Sequence, residues 1–269
     1  MTASSYGAGR GPASRLAPPH ALSSQARVAR ALGIEILTGT LKPGDIVPNE
    51  TELMTRFGIS RTVLREVMKT LAAKGMVQPK TRVGTRVLDP EHWTMFDADV
   101  IAWRIELGMD AGFLKSLFEV RLALEPAAAA LAAERRTDAD VTFLEDCVSD
   151  MRRPGHSRES YALIDNAFHL AVASASGNPF MRSMGAVIEA ALTASFTLHS
   201  PVDDPERQRA TADAHERIVD AIREHDPRGA EAAMLAVITE GMNRRALDPR
   251  AKQTTPDPTG ATRSRPNHQ

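Results

Sequence analysis

Three residues in the second half of the sequence carry side chains that could bind a metal ion. Asp165 and His169 are four residues apart, so on a helix they lie on the same face. His215 lies in a later segment, close to the apolar residues Ile218 and Val219. One carboxylate and two imidazoles are suitable ligands for Zn, Mn or Ni. An Asp-x-x-x-His pair on a helix is more often a simple hydrogen-bonded pair, so the spacing alone leaves both interpretations open.

Arg121 is a candidate anchor for a small organic acid. It lies between Phe118 and Leu122 in the segment FEVRLALEP, so its charge is expected to be partly buried. A buried charge is costly unless it meets an opposite charge or a ligand, and a guanidinium group can bind a carboxylate through two hydrogen bonds. We therefore expect Arg121, Asp165, His169 and His215 to meet each other or a ligand, with Arg121 as the anchor for an organic acid.

A second set of residues could bind DNA. Arg61 and Arg65 are one turn apart at the start of a predicted helix, where arginine can bind guanine O6 and N7. Lysine and arginine side chains nearby are suited to contact phosphates; they are Lys69, Lys80, Arg82 and Arg86. A solvated basic face is the alternative interpretation, and it is more plausible for Lys69 and Arg86 than for the first two arginines.

The elements that must position these arginines form a helix-turn-helix followed by a hairpin. An apolar-periodic stretch that includes Leu32 and Ile36 predicts the first helix. Asn49, with Glu52 three residues later, predicts the start of the second helix, and Ser60 can cap the third. The segment MVQPKTRVGTRVL then alternates loosely and predicts a wing.

The charge is divided between the two parts of the 269-residue chain. Residues 1–90 contain 13 Lys and Arg against 6 Asp and Glu, and residues 91–269 contain 20 against 28. The net charges are thus +7 and −8, although the whole chain carries only −1. This division suggests that the front part alone meets a polyanion.

The second half reads as helix throughout, with no strand pattern, which predicts a helical bundle. The predicted helices cover 95–106, 111–135, 137–152, 158–175, 179–198, 208–225 and 227–246. The predicted fold class is therefore mainly α, with an N-terminal winged helix-turn-helix and a C-terminal all-α bundle. The predicted divisions are a disordered arm at 1–20, the winged helix at 21–90, the bundle at 91–247 and a disordered tail at 248–269.

Composition excludes several classes of protein. With Cys147 as the single cysteine, neither an intramolecular disulfide framework nor a thiolate metal cluster can form. No run of about 18 apolar residues occurs, so no membrane contact is expected, and residues 1–20 lack the apolar core of a secretory signal. A cytoplasmic location is the expectation.

The segment LKPGDIVPNETELMTRFGISRTVLREVMKTLAAKGMVQPKTRVGTRV resembles the winged helix of the GntR family over about residues 22–88. The resemblance implies that Arg61 and Arg65 contact operator bases and that the wing tip, Thr81–Gly84, enters the minor groove. It thus places DNA contacts at seven residues: Arg61, Thr62, Arg65, Lys69, Thr81, Arg82 and Gly84. Some members have a further DNA-contacting arginine where this chain has Thr51, so that contact is in doubt.

Residues from about 113 to 245 resemble the FCD ligand-binding domain of the FadR subfamily. The segments that carry the resemblance are EVRLALEPAAAALAAER, DNAFHLAVASASGNP and AHERIVDAIREHDPRGAEAAM. In many members Asp165, His169 and His215 would be metal ligands, joined by a further histidine where this chain has Val237. The missing ligand leaves two possibilities: a three-ligand site completed by water or effector oxygens, or effector binding without metal.

The linking segment DPEHWTMFDADVIAWRIELGMD, together with the missing histidine, is most similar to the sugar-acid regulators of this subfamily. That similarity implies a sugar acid such as an aldonate as effector, with Arg121 holding its carboxylate. Asp165, His169 and His215 would then meet its hydroxyl groups or a metal. Related regulators respond to different acids, so another organic acid sensed through a divalent metal is the alternative.

The functional prediction is a homodimeric transcription factor that binds double-stranded DNA at an inverted repeat. Repression relieved by a small carboxylate effector is the expected form of control. A metal-dependent enzyme is a rival hypothesis, but neither a nucleophile and base constellation nor a glycine-rich phosphate loop accompanies the candidate ligands. A DNA-binding scaffold with a merely structural bundle is a second rival, and the polar residues within the apolar stripe argue against it.

Overall fold

The computed structural model describes residues 23–108, 111–185, 187–190, 192 and 200–246. The segments predicted to be disordered, 1–20 and 248–269, lie outside the described residues. Within the described part the fold is mainly helical, and its sheet has two strands, as predicted.

The first part of the chain is a winged helix-turn-helix. Its elements are α1 (Ser24–Leu37), α2 (Glu50–Phe57), α3 (Arg61–Ala73), β1 (Val77–Lys80) and β2 (Gly84–Val87). Asn49 and Glu52 form the predicted capping box at the start of α2, and the Ser60 side chain accepts a hydrogen bond from the Val63 N–H to cap α3. The two strands pair antiparallel, with Lys80 opposite Gly84.

The second part is a helical bundle. Its helices are α4 (Ala98–Glu106), α5 (Ala111–Arg135), α6 (Asp138–Arg152), α7 (Arg158–Ala175), α8 (Pro179–Arg182), α9 (Pro205–Arg223) and α10 (Pro227–Ala246). Helix α5 packs against α7 and α10, and α9 packs against α6 and α10. The core contains Leu144, Tyr161, Phe168 and Ile218, all fully buried. None of the helices in the described part is both long and apolar enough to cross a membrane.

Four predicted helices have different bounds in the structure. The helix predicted at 137–152 begins one residue later, at Asp138, because Thr137 is its N-cap. The helix predicted at 95–106 begins at Ala98, because the Asp97 side chain caps the N–H groups of Asp99 and Val100. The helix predicted at 208–225 is α9, which begins at Pro205. Proline is suited to the first helical position, because the N–H group that it lacks would have no partner within the helix there. The helix predicted at 179–198 is interrupted after α8. There the Ser183 N–H donates to carbonyl oxygens of α8 itself and caps its end. Helical conformation is found again at 185, 187–190 and 192.

Helix α4 packs against both parts of the protein, although the division was predicted at residue 90. Val100 and Trp103 lie in the core of the winged helix, whereas Ile101 packs with Phe113 and Leu117 of the bundle. The two faces of one short helix thus join the two cores.

Lys74, at the C-terminal end of α3, strengthens this junction. Its ammonium nitrogen lies 2.6 Å from Asp97 Oδ1 and 2.7 Å from Asp99 Oδ2, with only 7% of the side chain exposed. The same group lies 5.5 Å from the ring centre of Trp103, within the range of a cation–π contact. The end of α3 is therefore held on α4 by charge as well as by packing.

We expect Gly33→Ala to lower the free energy of unfolding by about 1–3 kcal/mol, as overpacking of a filled core does. An added Cβ at this position would lie 2.3 Å from Cζ3 of Trp103, so α1 and α4 would have to separate. Urea unfolding measures the change. The matched control is Gly241→Ala in α10. Among the described residues, no atom outside the neighbouring backbone of its own helix lies within 4 Å of the added carbon, and a gain of about 0.4–1 kcal/mol is expected. Equal stability of Gly33→Ala and wild type would contradict the close contact of α1 with α4.

Candidate functional site

A cluster of polar side chains is buried inside the bundle. Helix α5 contributes Arg121 and Glu125, α7 contributes Asp165 and His169, and α9 contributes His215. Each of these residues is no more than 5% exposed. The structure therefore brings together all four residues predicted for the effector site, and it adds Glu125 to them.

Asp165 lies between the two histidines. Its Oδ1 is 3.1 Å from His215 Nε2, and its Oδ2 is 3.6 Å from His169 Nε2. One ligand atom from each residue can be chosen so that all three lie within 4.8 Å of one another. The carboxylate thus contacts the histidine from another helix more closely than the one four residues away on its own helix.

The far nitrogen of each histidine ring determines which nitrogen faces Asp165. His215 Nδ1 lies 2.8 Å from the Thr211 carbonyl oxygen, which can only accept, so Nδ1 carries the hydrogen and donates it. His169 Nδ1 lies 2.6 Å from Glu125 Oε2, although the ring N–H does not point straight along that line. Both rings consequently direct Nε2 toward Asp165, and neither Nε2 forms a well-aligned hydrogen bond.

This donor set fits a divalent cation. In their neutral form, both Nε2 atoms present a lone pair to an anionic carboxylate inside an apolar core, which is repulsive unless a cation or extra protons lie between them. Two nitrogens and one carboxylate are ligands that Zn, Mn and Ni accept. Val237, at the position of the missing family ligand, packs its apolar side chain against the core and offers no ligand.

Arg121 is paired within the protein. Its Nε lies 2.5 Å from Glu125 Oε1, and its Nη2 lies 3.3 Å from Oε2, so the predicted acid anchor already contacts a carboxylate. Burial acts to raise the pKa of Glu125, but the charges of Arg121 and His169 outweigh it and hold the pKa at about 2. Glu125 was not predicted from the sequence, although its spacing from Arg121 in RLALE is that of a helical ion pair.

Asp165 is ionised as well. Burial acts to raise its pKa, but the close contact and charge of a protonated His215, followed by the charges of His169 and Arg121, lower the pKa below its ordinary value. When both imidazoles are neutral, the cluster holds two carboxylates and one guanidinium group, and its net charge of −1 attracts a further cation.

Beside Arg121 and Glu125 lies a small cavity with a volume of about 10 Å³. It is lined by those two residues and by apolar side chains that include Ala128, Met184 and Ile188. Such a space holds about one water molecule. A sugar acid can reach Arg121 only if the surrounding helices move apart.

The predicted DNA-contacting residues of α3 lie on the surface. Arg61, Thr62, Arg65 and Lys69 are all exposed. Arg61 Nε lies 3.2 Å from Glu50 Oε2, and Lys69 Nζ lies 2.8 Å from Glu66 Oε1. Glu50 was not singled out from the sequence, because it lies in another helix and no local spacing relates it to Arg61.

The wing residues are exposed too. Thr81, Arg82 and Val83 form the turn between β1 and β2, which Gly84 closes. Arg82 has φ +64° and Gly84 has φ +108°, so the tip adopts left-handed backbone conformations. Exposed basic groups on α3 and at the wing thus form a surface suited to the phosphates and bases of a duplex.

Comparison with known proteins matches each part of the chain to a family. Residues 24–87 match the family described as "Bacterial regulatory proteins, gntR family", and residues 116–240 match the FCD domain. The galactonate operon transcriptional repressor of Escherichia coli is 32% identical over 223 residues, which cover 83% of this chain and 97% of that protein. The HTH-type transcriptional regulator LutR of Bacillus subtilis is 34% identical over 212 residues, which cover 76% and 93% of the two chains.

A solved structure agrees on the fold. The protein Lar, described as controlling the expression of the Listeria monocytogenes agr system, superimposes with a TM-score of 0.58. The match covers 86% of this chain and all of that one at 21% identity, which shows a shared fold alone.

Proposed function

The chain belongs to the GntR family of bacterial regulatory proteins, and from this premise we propose that it represses a sugar-acid catabolic operon and is released by an aldonate. It is a transcriptional repressor of the GntR and FCD type, not an enzyme, since both families and the matched relatives are transcriptional regulators. Regulators of this family bind DNA operators.

The observation that carries the proposed effector class is the buried polar cluster around Arg121. The guanidinium group can bind a carboxylate through two hydrogen bonds, and Asp165, His169 and His215 can meet several hydroxyl groups. A molecule that combines one carboxylate with several hydroxyl groups, as an aldonate does, satisfies all of them. The similarity to a galactonate operon repressor supports the same class.

Effector binding has a physical route to the DNA. Since the cavity beside Arg121 holds about one water, an aldonate must displace Glu125 from Arg121 and spread α5, α7 and the residues after α8. The N-terminal part of α5 packs on Ile101 of α4, and the other face of α4 lies in the winged-helix core. The effector would thereby favour a different placement of the winged helices in a homodimer on an inverted repeat.

We include a divalent metal, Zn, Mn or Ni, in this proposal. Asp165, His169 and His215 would hold it through one carboxylate oxygen and two Nε2 atoms. When bound, the ion would supply a positive charge that can accept carboxylate or hydroxyl oxygens. Effector binding without metal is the alternative, and the experiment below separates the two.

The test is thermal unfolding of the purified protein with D-galactonate, other aldonates and simpler hydroxy acids, each with and without EDTA. A ligand at about 100 times its Kd adds roughly 2.7 kcal/mol of stability, which raises Tm measurably. We expect an aldonate to raise Tm and to release operator DNA. Arg121→Lys serves as the control, because it keeps a charge opposite Glu125 but loses the planar fork that binds a carboxylate.

Each outcome has a distinct meaning. A response to a simpler hydroxy acid alone would replace the aldonate by the alternative effector class. A response that EDTA abolishes supports the metal, and one that EDTA leaves unchanged removes the metal from the proposal. An aldonate response that survives in Arg121→Lys at full strength would contradict the assigned anchor.

A further inference from the structure

We propose that Glu125 is a positioning residue that orients His169 for metal binding while it holds Arg121, so that one carboxylate joins the acid anchor to the metal ligands. This inference rests on the metal site of the proposed function and deepens it. It gives a role to a residue that neither offers a ligand atom to the three-residue set nor lies on the surface.

The two oxygens of Glu125 contact different partners. Oε1 lies 2.5 Å from Arg121 Nε, and Oε2 lies 2.6 Å from His169 Nδ1. Only 6% of the Glu125 side chain is exposed, so water cannot replace either contact readily. The carboxylate therefore connects α5 to α7 at the point where each helix presents its functional side chain.

His169 needs such a partner to act as a ligand. An imidazole ring offers two nitrogens, and the one that carries hydrogen is determined by what the other groups around it accept. With Nδ1 next to the anionic Oε2, hydrogen is favoured on Nδ1, and the lone pair is left on Nε2, which faces Asp165. A carboxylate behind a ligating histidine also raises the basicity of the ring and holds its orientation.

The ring of His215 is oriented by a hydrogen bond of its own. His215 donates from Nδ1 to the Thr211 carbonyl within its own helix. The two histidines are thus oriented by two different acceptors, and only the acceptor of His169 also binds Arg121. Loss of Glu125 would leave His215 and Asp165 in place while it frees the ring of His169.

The experiment is a titration of the EDTA-treated protein with Co²⁺ alone, followed by visible absorption. Removal of a partner behind a ligating histidine typically weakens metal binding by about 10–100-fold. We expect that loss in Glu125→Gln, together with a changed Co²⁺ absorption band, because the amide has one acceptor oxygen where the carboxylate uses two, one for Arg121 and one for His169. The matched control is Glu119→Gln on the same helix, whose side chain is 60% exposed, and it should bind Co²⁺ as wild type does.

A second variant distinguishes weaker Co²⁺ binding from loss of the folded structure. Glu125→Gln leaves the Arg121 charge buried without its counter-ion, whereas Arg121→Met/Glu125→Leu replaces the whole pair by apolar groups of similar size. The double variant should unfold close to the wild-type Tm and still bind Co²⁺ about 10–100-fold more weakly.

Two results would overturn the inference, and they differ in their consequence for the proposed metal site. Wild-type Co²⁺ affinity and absorption in either folded variant would show that His169 does not depend on Glu125, and the proposed metal site would remain. Failure of the wild-type protein itself to bind Co²⁺ would remove the metal site from the proposed function, and the role of Glu125 with it.

Discussion

Arg121→Met is expected to lower the free energy of unfolding by about 3–5 kcal/mol, because removal of one partner of a buried ion pair leaves the other charge uncompensated. The partner here is Glu125, whose pKa is held at about 2 chiefly by the Arg121 charge against the effect of burial. For a chain of this size, such a loss corresponds to a Tm decrease of roughly 6–20 °C. Urea unfolding and calorimetry measure the two quantities.

Two controls separate this effect from loss of side-chain packing. In Arg121→Met/Glu125→Leu no charge is left uncompensated, so most of the lost stability should return. Arg152→Met breaks an ion pair of α6 with Asp213 and Glu216 of α9, which are 54% and 46% exposed, and it should cost about 1 kcal/mol or less. A loss under about 1 kcal/mol in Arg121→Met would mean that solvent reaches the pair, contrary to its burial.

Arg61→Ala and Arg65→Ala are each expected to weaken binding to a selected operator by about 5–150-fold. That range corresponds to roughly 1–3 kcal/mol for one two-hydrogen-bond contact between arginine and guanine. Both side chains are exposed in the first two turns of α3. Both side chains of the ion pair between Arg61 and Glu50 are exposed, so breaking this pair on binding DNA costs little free energy.

The measurement starts with selection of a site from random duplexes by the wild-type protein. For each variant, the affinity for the selected site is then compared with the affinity for unrelated DNA over a series of salt concentrations. Both arginine variants should lose the preference for the selected site, whereas Lys69→Ala should weaken all sequences similarly and reduce the salt slope by about 1. An unchanged preference in Arg61→Ala and Arg65→Ala would contradict base recognition by α3.

Much of the winged helix could be predicted from the sequence, because its signals are local. A capping side chain and the amide that it binds are three residues apart, as with Asn49 and Glu52, so a short segment contains both partners. The same holds for the exposed face of α3, where Arg61 and Arg65 are one turn apart and need no other element to bring them together. The family of each domain was recognised for a related reason, since its motifs are continuous segments.

The candidate site depended on the tertiary structure. The four-residue spacing of Asp165 and His169 left open whether the pair bonds to itself, and only the packing of α9 on the bundle placed His215 Nε2 closer to that carboxylate. Glu125 could be paired with Arg121 by spacing, but its contact with His169 joins residues 44 positions apart. Local patterns predict the helices and the residue types that they present. Contacts between remote segments arise only when several helices pack, and local periodicity carries no information on that packing.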